Sequence, residues 1–291
     1  MNPTGSTSSA HTRKGDPRRF GHGAAAALAI AALVPAMAAA QTAQPGPLPG
    51  PWKYSASVYA YAPSIGGSSV FPAEGGTTIS VTGKQILNAL KMTFMGNFEA
   101  HNGAWGVLTD LVYVDLGNAK SNTRDFTIGN IGLPAGTTAD LDWDYKATVW
   151  TLAGQYRLAS EPSMTLDVLA GVRLFDQRQR LRWSISGDIG PIAPAGRSGS
   201  ANLSESVWDA IVGVKTRYVF GANREWAIPL YLDVGAGQSE STVQAAAGIT
   251  YAFQWGELST LWRYVGYHAK AGKAITDMNF NGPQIGAVFR W

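Results

Sequence analysis

From residue 52 onward, apolar residues fall on alternate positions over most of the chain. A period of two marks strands with two unlike faces, because successive side chains of an extended backbone point to opposite sides. In the last segment Ile285, Ala287, Phe289 and Trp291 share one face, and Gln284, Gly286, Val288 and Arg290 share the other. In 242–253, Val243, Ala245, Ala247, Ile249, Tyr251 and Phe253 oppose Gln244, Ala246, Gly248, Thr250 and Ala252. In 226–235 the apolar face is Trp226, Ile228, Leu230, Leu232 and Val234, with Asp233 and Gly235 behind it. Segments 207–220 and 164–175 repeat the pattern, with Asp209, Lys215 and Arg217, and then Asp167 and Arg173, on the second face. Noisier alternation places five more strands near 52–62, 91–101, 104–117, 144–158 and 258–270.

The connections give an independent reading. Short turns sit at His101-Asn102-Gly103, Ala159–Ser163, Gly221–Glu225 and Gln254–Glu257. Long connections occupy 63–90, 118–143 and 176–201, with shorter ones near 236–241 and 271–280. This alternation predicts an all-β fold: a transmembrane antiparallel up-and-down β-barrel of about ten strands, within a range of eight to twelve. Inside the first long connection, Gly83–Lys91 reads as a short amphipathic helix at the barrel rim.

A soluble sandwich also alternates, but its solvent faces carry Lys, Glu and Thr. Here the less apolar face is Gly, Ala, Ser, Gln and a limited set of charges, in a chain only 15% charged. Aromatics such as Trp52, Trp105, Trp150, Trp208, Trp226, Trp262 and Trp291 lie near proposed strand ends. Their rings have an apolar body and a polar tip, which suits the two interfaces of a bilayer.

The chain begins differently. Arg13, Lys14, Arg18 and Arg19 precede a small apolar run, 24–34, and Ala38-Ala39-Ala40 offers a cleavage site. The run is too short to span a membrane, which needs about 20 residues. Residues 1–40 are therefore expected to be a cleaved export signal, 41–51 a Pro/Gly linker and 52–291 the barrel. The whole chain has 23 Lys and Arg against 20 Asp and Glu; the signal takes four bases and one acid, leaving 19 of each. A neutral mature chain gives no ground for nucleic-acid binding. With no Cys, disulfides, thiolate metal sites and lipidated cysteines are excluded, and neither a cofactor nor a metal is expected.

Parity assigns Lys53, Glu99, Asp110, Arg157, Asp167, Arg173, Asp209, Lys215, Arg217, Asp233, Arg263 and Arg290 to the enclosed face. Acids and bases are nearly balanced there. Buried charges are tolerable only in pairs, since desolvating each costs several kcal/mol. The expectation is a polar lumen closed or narrowed by ion pairs, because wide aqueous channels belong to barrels of about 16–18 strands. Asp115 breaks parity with Asp110 and is expected near a rim.

Enzymatic readings draw on little. His101 and His268 are the only histidines after the signal. A Ser-His-acid site would join His268 to Ser239 or Ser241, and an acid-based site would use Asp140, Asp142 and Asp144. The same three acids would otherwise be solvated rim charges, or bridge lipopolysaccharide through divalent ions.

A terminal strand with apolar residues at alternate positions and an aromatic at its end, here Ile285, Ala287, Phe289 and Trp291, resembles the assembly signal of Gram-negative outer-membrane proteins. Over roughly 52–291 the chain resembles the small porin-like outer-membrane β-barrels. The resemblance implies a bacterial outer-membrane location, insertion by the barrel-assembly machinery, and contact with outer-membrane lipids and lipopolysaccharide. It implies no catalytic residues and leaves the oligomeric state open. The leading expectation is a structural barrel or narrow channel. The alternatives are an outer-membrane hydrolase acting on lipid or peptide, and a loop-mediated adhesin or receptor using 63–90, 118–143 and 176–201.

Overall fold

The structure, a computed structural model, describes residues 48–69, 77–81, 90–123, 127–128, 131–132, 138–186, 198–271, 273 and 275–291. All of these belong to one unit, Gly46–Trp291. The expected export signal 1–40, residues 41–47 of the linker and residues 83–89 of the expected helix lie outside the described residues.

The strands are β1 (Lys53–Tyr61), β2 (Ser64–Ser69), β3 (Thr77–Val81), β4 (Leu90–His101), β5 (Trp105–Thr123), β6 (Thr127–Ile128) and β7 (Ile131–Gly132). They continue as β8 (Thr138–Ser160), β9 (Met164–Ser186), β10 (Ser198–Phe220), β11 (Trp226–Gly237), β12 (Ser241–Ala252), β13 (Glu257–His268) and β14 (Ile275–Arg290). The order β1-β4-β5-β8-β9-β10-β11-β12-β13-β14 closes on itself through β1 and β14, which pair antiparallel from Ser55↔Arg290 to Tyr61↔Gln284. After a bend at Ala62-Pro63, β2 resumes the same track along β14, from Ser64↔Asn281 upward. β1 and β2 thus make one bent stave, and the barrel has ten. The bend packs closely on Gly282, where a Cβ would lie 2.5 Å from the Ala62 carbonyl oxygen. β3 pairs with β2 alone, and β6 with β7 in a separate small hairpin.

The turns 102–104, 161–163, 221–225 and 253–256 lie at one end, with the start of β1 and the end of β14, while the equally short 238–240 lies at the other. At the first, Gly103 takes a left-handed φ of +95°. Its N–H donates to His101 Nδ1 at 2.8 Å, while Asn102 Oδ1 accepts from the N–H of Trp105 at 2.8 Å. The Asn side chain thereby supplies the bonds that the tight turn denies to the backbone.

Outside the barrel, Val58, Val212 and Ile285 are 60%, 58% and 53% exposed, in a continuous apolar band with Val107, Leu152 and Leu230. Two aromatic belts bound it. The belt at the turn end has rings in contact: Tyr54 with Trp291, Trp105 with Tyr156, Trp226 with Tyr251 and Phe253 with Trp255. The far belt includes Trp150 and Trp208, whose rings meet edge to face, and Trp262. From Tyr218 to Trp208, ten residues at ~3.3 Å each and ~40° of tilt give a band ~25 Å tall, the hydrocarbon thickness such barrels present.

Two expectations need correction. The connections 118–143 and 176–201 are shorter than expected, because β5, β8, β9 and β10 run well past the far belt. On β9 the buried Gln177, Gln179 and Leu181 still alternate with Arg178, Arg180 and Arg182, but the outward face has become charged. Strand pairing continues where the hydropathy contrast ends. Likewise 63–90 holds β2 and β3, and β14 starts at Ile275 inside the expected connection 271–280. Asp115 stands beyond the far belt and holds Lys146 Nζ at 2.8 Å, a contact that raises the ammonium pKa above its ordinary value.

Candidate functional site

The lumen is the site, and its strands deliver charge to it at staggered heights. Toward the turn end, Arg157 on β8 makes a two-pronged bond to Asp167 on β9, at 2.8 and 3.1 Å. His101 Nε2 lies 3.6 Å from the same carboxylate. Lys215 on β10 crosses to Glu99 on β4 at 2.5 Å. Arg217 on β10 and Arg290 on β14 share Glu257 on β13, at 2.9 and 2.8 Å. Lys53 sits at the exposed start of β1.

Farther in, Arg263 on β13 reaches Asp110 on β5 at 2.5 Å, Tyr59 OH at 2.9 Å and Gln244 Oε1 at 3.1 Å. Tyr59 donates in turn to Asp110 at 2.6 Å. Arg173 on β9 binds Asp233 on β11 through both terminal nitrogens, and its Nε donates to Thr151 Oγ1 at 3.2 Å. Both side chains of that pair are fully buried. Asp209 is buried too, and it accepts from the N–H and the hydroxyl of Ser239 at 2.9 and 2.7 Å. Asp110, Asp167, Asp209, Asp233 and Glu257 thus each accept two or more hydrogen bonds, the condition for keeping a charge out of water.

The Glu99–Lys215 and Asp110–Arg263 pairs join staves that are not neighbours in the sheet, so they bridge the lumen. Arg263, held by Asp110, stands between two chambers. The one toward the turn end is about 250 Å³, the more polar of the two, and lined by Ser57, Glu99, Arg157, Asp167, Lys215 and Glu257 among others. The other is about 370 Å³ and mainly apolar, with Tyr61, Met95, Val112, Tyr145, Val265 and Phe280 in its wall. Arg263 and Gln284 line both.

The apolar far half corrects the expectation of a lumen polar throughout. There Phe175 stacks on Tyr267 with ring centroids 4.4 Å apart, and Leu116, Trp143, Leu181 and Met278 are buried beside them. The signal was present in the parity: Val112 and Leu116 share a face with Asp110, as Met278 and Phe280 do with Gln284. The partners Tyr59, Thr151, Thr242 and Gln244 carried no comparable mark, being uncharged.

The residues weighed for catalysis are engaged with separate partners. His268 Nδ1 meets Asp277, and its Nε2 lies 3.6 Å from Glu240. Ser241 is the register partner of His268, whereas Ser239 is committed to Asp209. Asp142 and Asp144 both face Arg182, at 3.1 and 3.2 Å. Among the described residues, no cluster of three or more His, Asp or Glu is placed to hold a metal ion.

No family model matches the chain, and no curated protein does. Among solved structures it is similar to the outer-membrane protease OmpT from Escherichia coli, with a TM-score of 0.50 and 9% identity over 86% of this chain and 99% of that one. It also matches Ail, the attachment invasion locus protein of Yersinia pestis, with a TM-score of 0.32 and 13% identity over 83% of this chain and 99% of that one. A third match is the translocator domain of the autotransporter NalP from Neisseria meningitidis, with a TM-score of 0.38 and 15% identity over 91% and 96%. At such identities the likeness is one of fold: this chain has the fold of the Gram-negative outer-membrane β-barrels.

Proposed function

We propose that the chain is an exported, non-enzymatic protein of the bacterial outer membrane, whose barrel is closed to steady ion flow by a charge-paired floor. The observation that carries this reading is the pair of lumen-crossing bonds, Glu99–Lys215 and Asp110–Arg263, backed by the buried Arg173–Asp233 pair. A hydrated ion would have to displace partners that are already satisfied, and each broken bond would leave a charge exposed to a poorly solvating interior. The non-enzymatic part is supported by the separate engagements of Ser239 with Asp209 and of His268 with two carboxylates.

Export through residues 1–40 and insertion through Ile285, Ala287, Phe289 and Trp291 belong to the same proposal. In its support, Ile285, Phe289 and Trp291 are exposed on the outside of the closing strand, where a docking machine has access to them. The outward Arg178 and Arg180 of β9, beyond the far belt, suit the phosphates of lipopolysaccharide.

The test is conductance across a planar bilayer, with insertion verified by protease protection. The expected record is silent between occasional brief events. Steady, ion-selective steps that change with Arg217→Ala would overturn the closed reading in favour of a narrow channel.

A further inference from the structure

The apolar chamber extends into the barrel wall where β1 bends into β2. The β1–β4 ladder ends at Val58↔Gly96, yet β4 runs on to Leu90, paired over that stretch only with β5. Beyond Val58, β1 stays with β14 and bends away into β2, whose other partner is β3. Proline has no N–H to give to a ladder, and Pro63 and Pro283 both line the chamber at this bend. Outward-facing residues line it too: Ala60, Thr260 and Ile285 contribute together with the inward Tyr61 and Val265. The chamber therefore reaches the lipid-facing surface. Its opening lies level with the far aromatic belt, since Trp262 is the register partner of Pro283.

A second, independent observation concerns the chamber's few polar atoms. Arg263 Nε, Tyr145 OH and Gln284 Oε1 are buried, and none has a hydrogen-bond partner among the described residues. All three residues line the chamber. Leu261 is the register partner of Gln284, so Arg263 and Gln284 are diagonal neighbours on the inner face, within reach of one small group. Arg263 supplies a donor and Gln284 an acceptor. A hydroxyl answers both at once, accepting from one and donating to the other. Because Asp110 already neutralises Arg263, the site calls for no further charge.

We propose that the chamber binds small neutral molecules with a ring-sized apolar body and one hydroxyl, of the phenol class, and admits them sideways from the outer face of the bilayer. The volume of about 370 Å³ falls in the range of small-molecule sites, ~300–1,000 Å³. Aromatic walls at Tyr61, Tyr145 and Phe280 suit a flat guest. The inference goes beyond the closed-barrel reading. Binding and conductance are measured separately, so either can fail alone.

The experiment follows the emission anisotropy of 1-naphthol with the full mature protein in phosphatidylcholine vesicles, against protein-free vesicles and with naphthalene as the hydroxyl-free comparator. Saturable binding is expected, roughly tenfold tighter for naphthol than for naphthalene, the worth of one good hydrogen bond. Gln284→Leu should erase most of that preference while naphthalene still binds. Met95→Trp, or Val265→Phe should the first variant misfold, should abolish binding of both. Pro283→Trp, at the opening, should slow association severalfold with little change in affinity. Unsaturable partitioning, or binding that survives the chamber-filling variants, would overturn the site. An association rate indifferent to Pro283→Trp would overturn the sideways route.

Discussion

Replacing Arg173 by Ala is expected to destabilise the folded barrel by about 3–5 kcal/mol, because it strands Asp233 as a buried, unpaired charge. Asp233 shares two hydrogen bonds with Arg173, and neither side chain reaches solvent. The loss reflects the abandoned partner more than the pair itself. A double variant with Arg173→Met and Asp233→Leu is therefore expected to recover most of the stability, since apolar residues of similar volume often replace a buried pair at little cost. Lys53→Ala, at the exposed start of β1, should stay within about 0.5 kcal/mol of the parent. Urea titration of vesicle-reconstituted protein, followed by tryptophan emission, measures all three. A single Arg173→Ala variant within 1 kcal/mol of the parent would contradict the role given to the pair.

The second large effect is expected on the outside. Val212→Arg should cost about 2–4 kcal/mol, because residue 212 lies mid-band on a surface that faces hydrocarbon. The comparison is Ser204→Arg, on the same face of β10 but beyond Trp208 and the far belt, where the cost should be negligible. The neighbouring Gly213 offers no clean inward control. A Cβ there would press on the Leu232 carbonyl oxygen and Asp233 of β11, so any side chain disturbs the ladder before its polarity is felt. The same urea titration reads both variants, and equal costs at 212 and 204 would contradict the assignment of the band.

The contrast between faces explains what the sequence revealed and what it concealed. Where one face meets apolar surroundings, as in β12, alternation of Val243, Ala245, Ala247 and Ile249 with Gln244 and Thr250 announces the strand. Past the far belt, β9 keeps its pairing through Ser186 although Arg178, Arg180 and Arg182 have replaced apolar residues outside. No hydropathy signal marks a strand that leaves the membrane still paired. Parity also named which charges turn inward without naming their partners. Glu99 and Lys215 are 116 positions apart, and only the closure of the barrel brings them together. The apolar chamber stayed hidden for a related reason. Inward Val112, Val265 and Phe280 look like outward residues to any scale of hydropathy, and only their parity with Asp110, Arg263 and Gln284 assigns them to the interior.

The alternation of hydrocarbon outside and enclosed interior inside is the claim on which the rest stands. The chain has no Cys, so single cysteines can be introduced and labelled cleanly. Fluorophores at Leu152, Val212, Leu230 and Ile285 should be strongly quenched by lipids carrying nitroxides on their acyl chains, whereas those at Ser57 and Gln244 should be nearly unaffected. Equal quenching at the two sets, or quenching confined to Ser57 and Gln244, would contradict it.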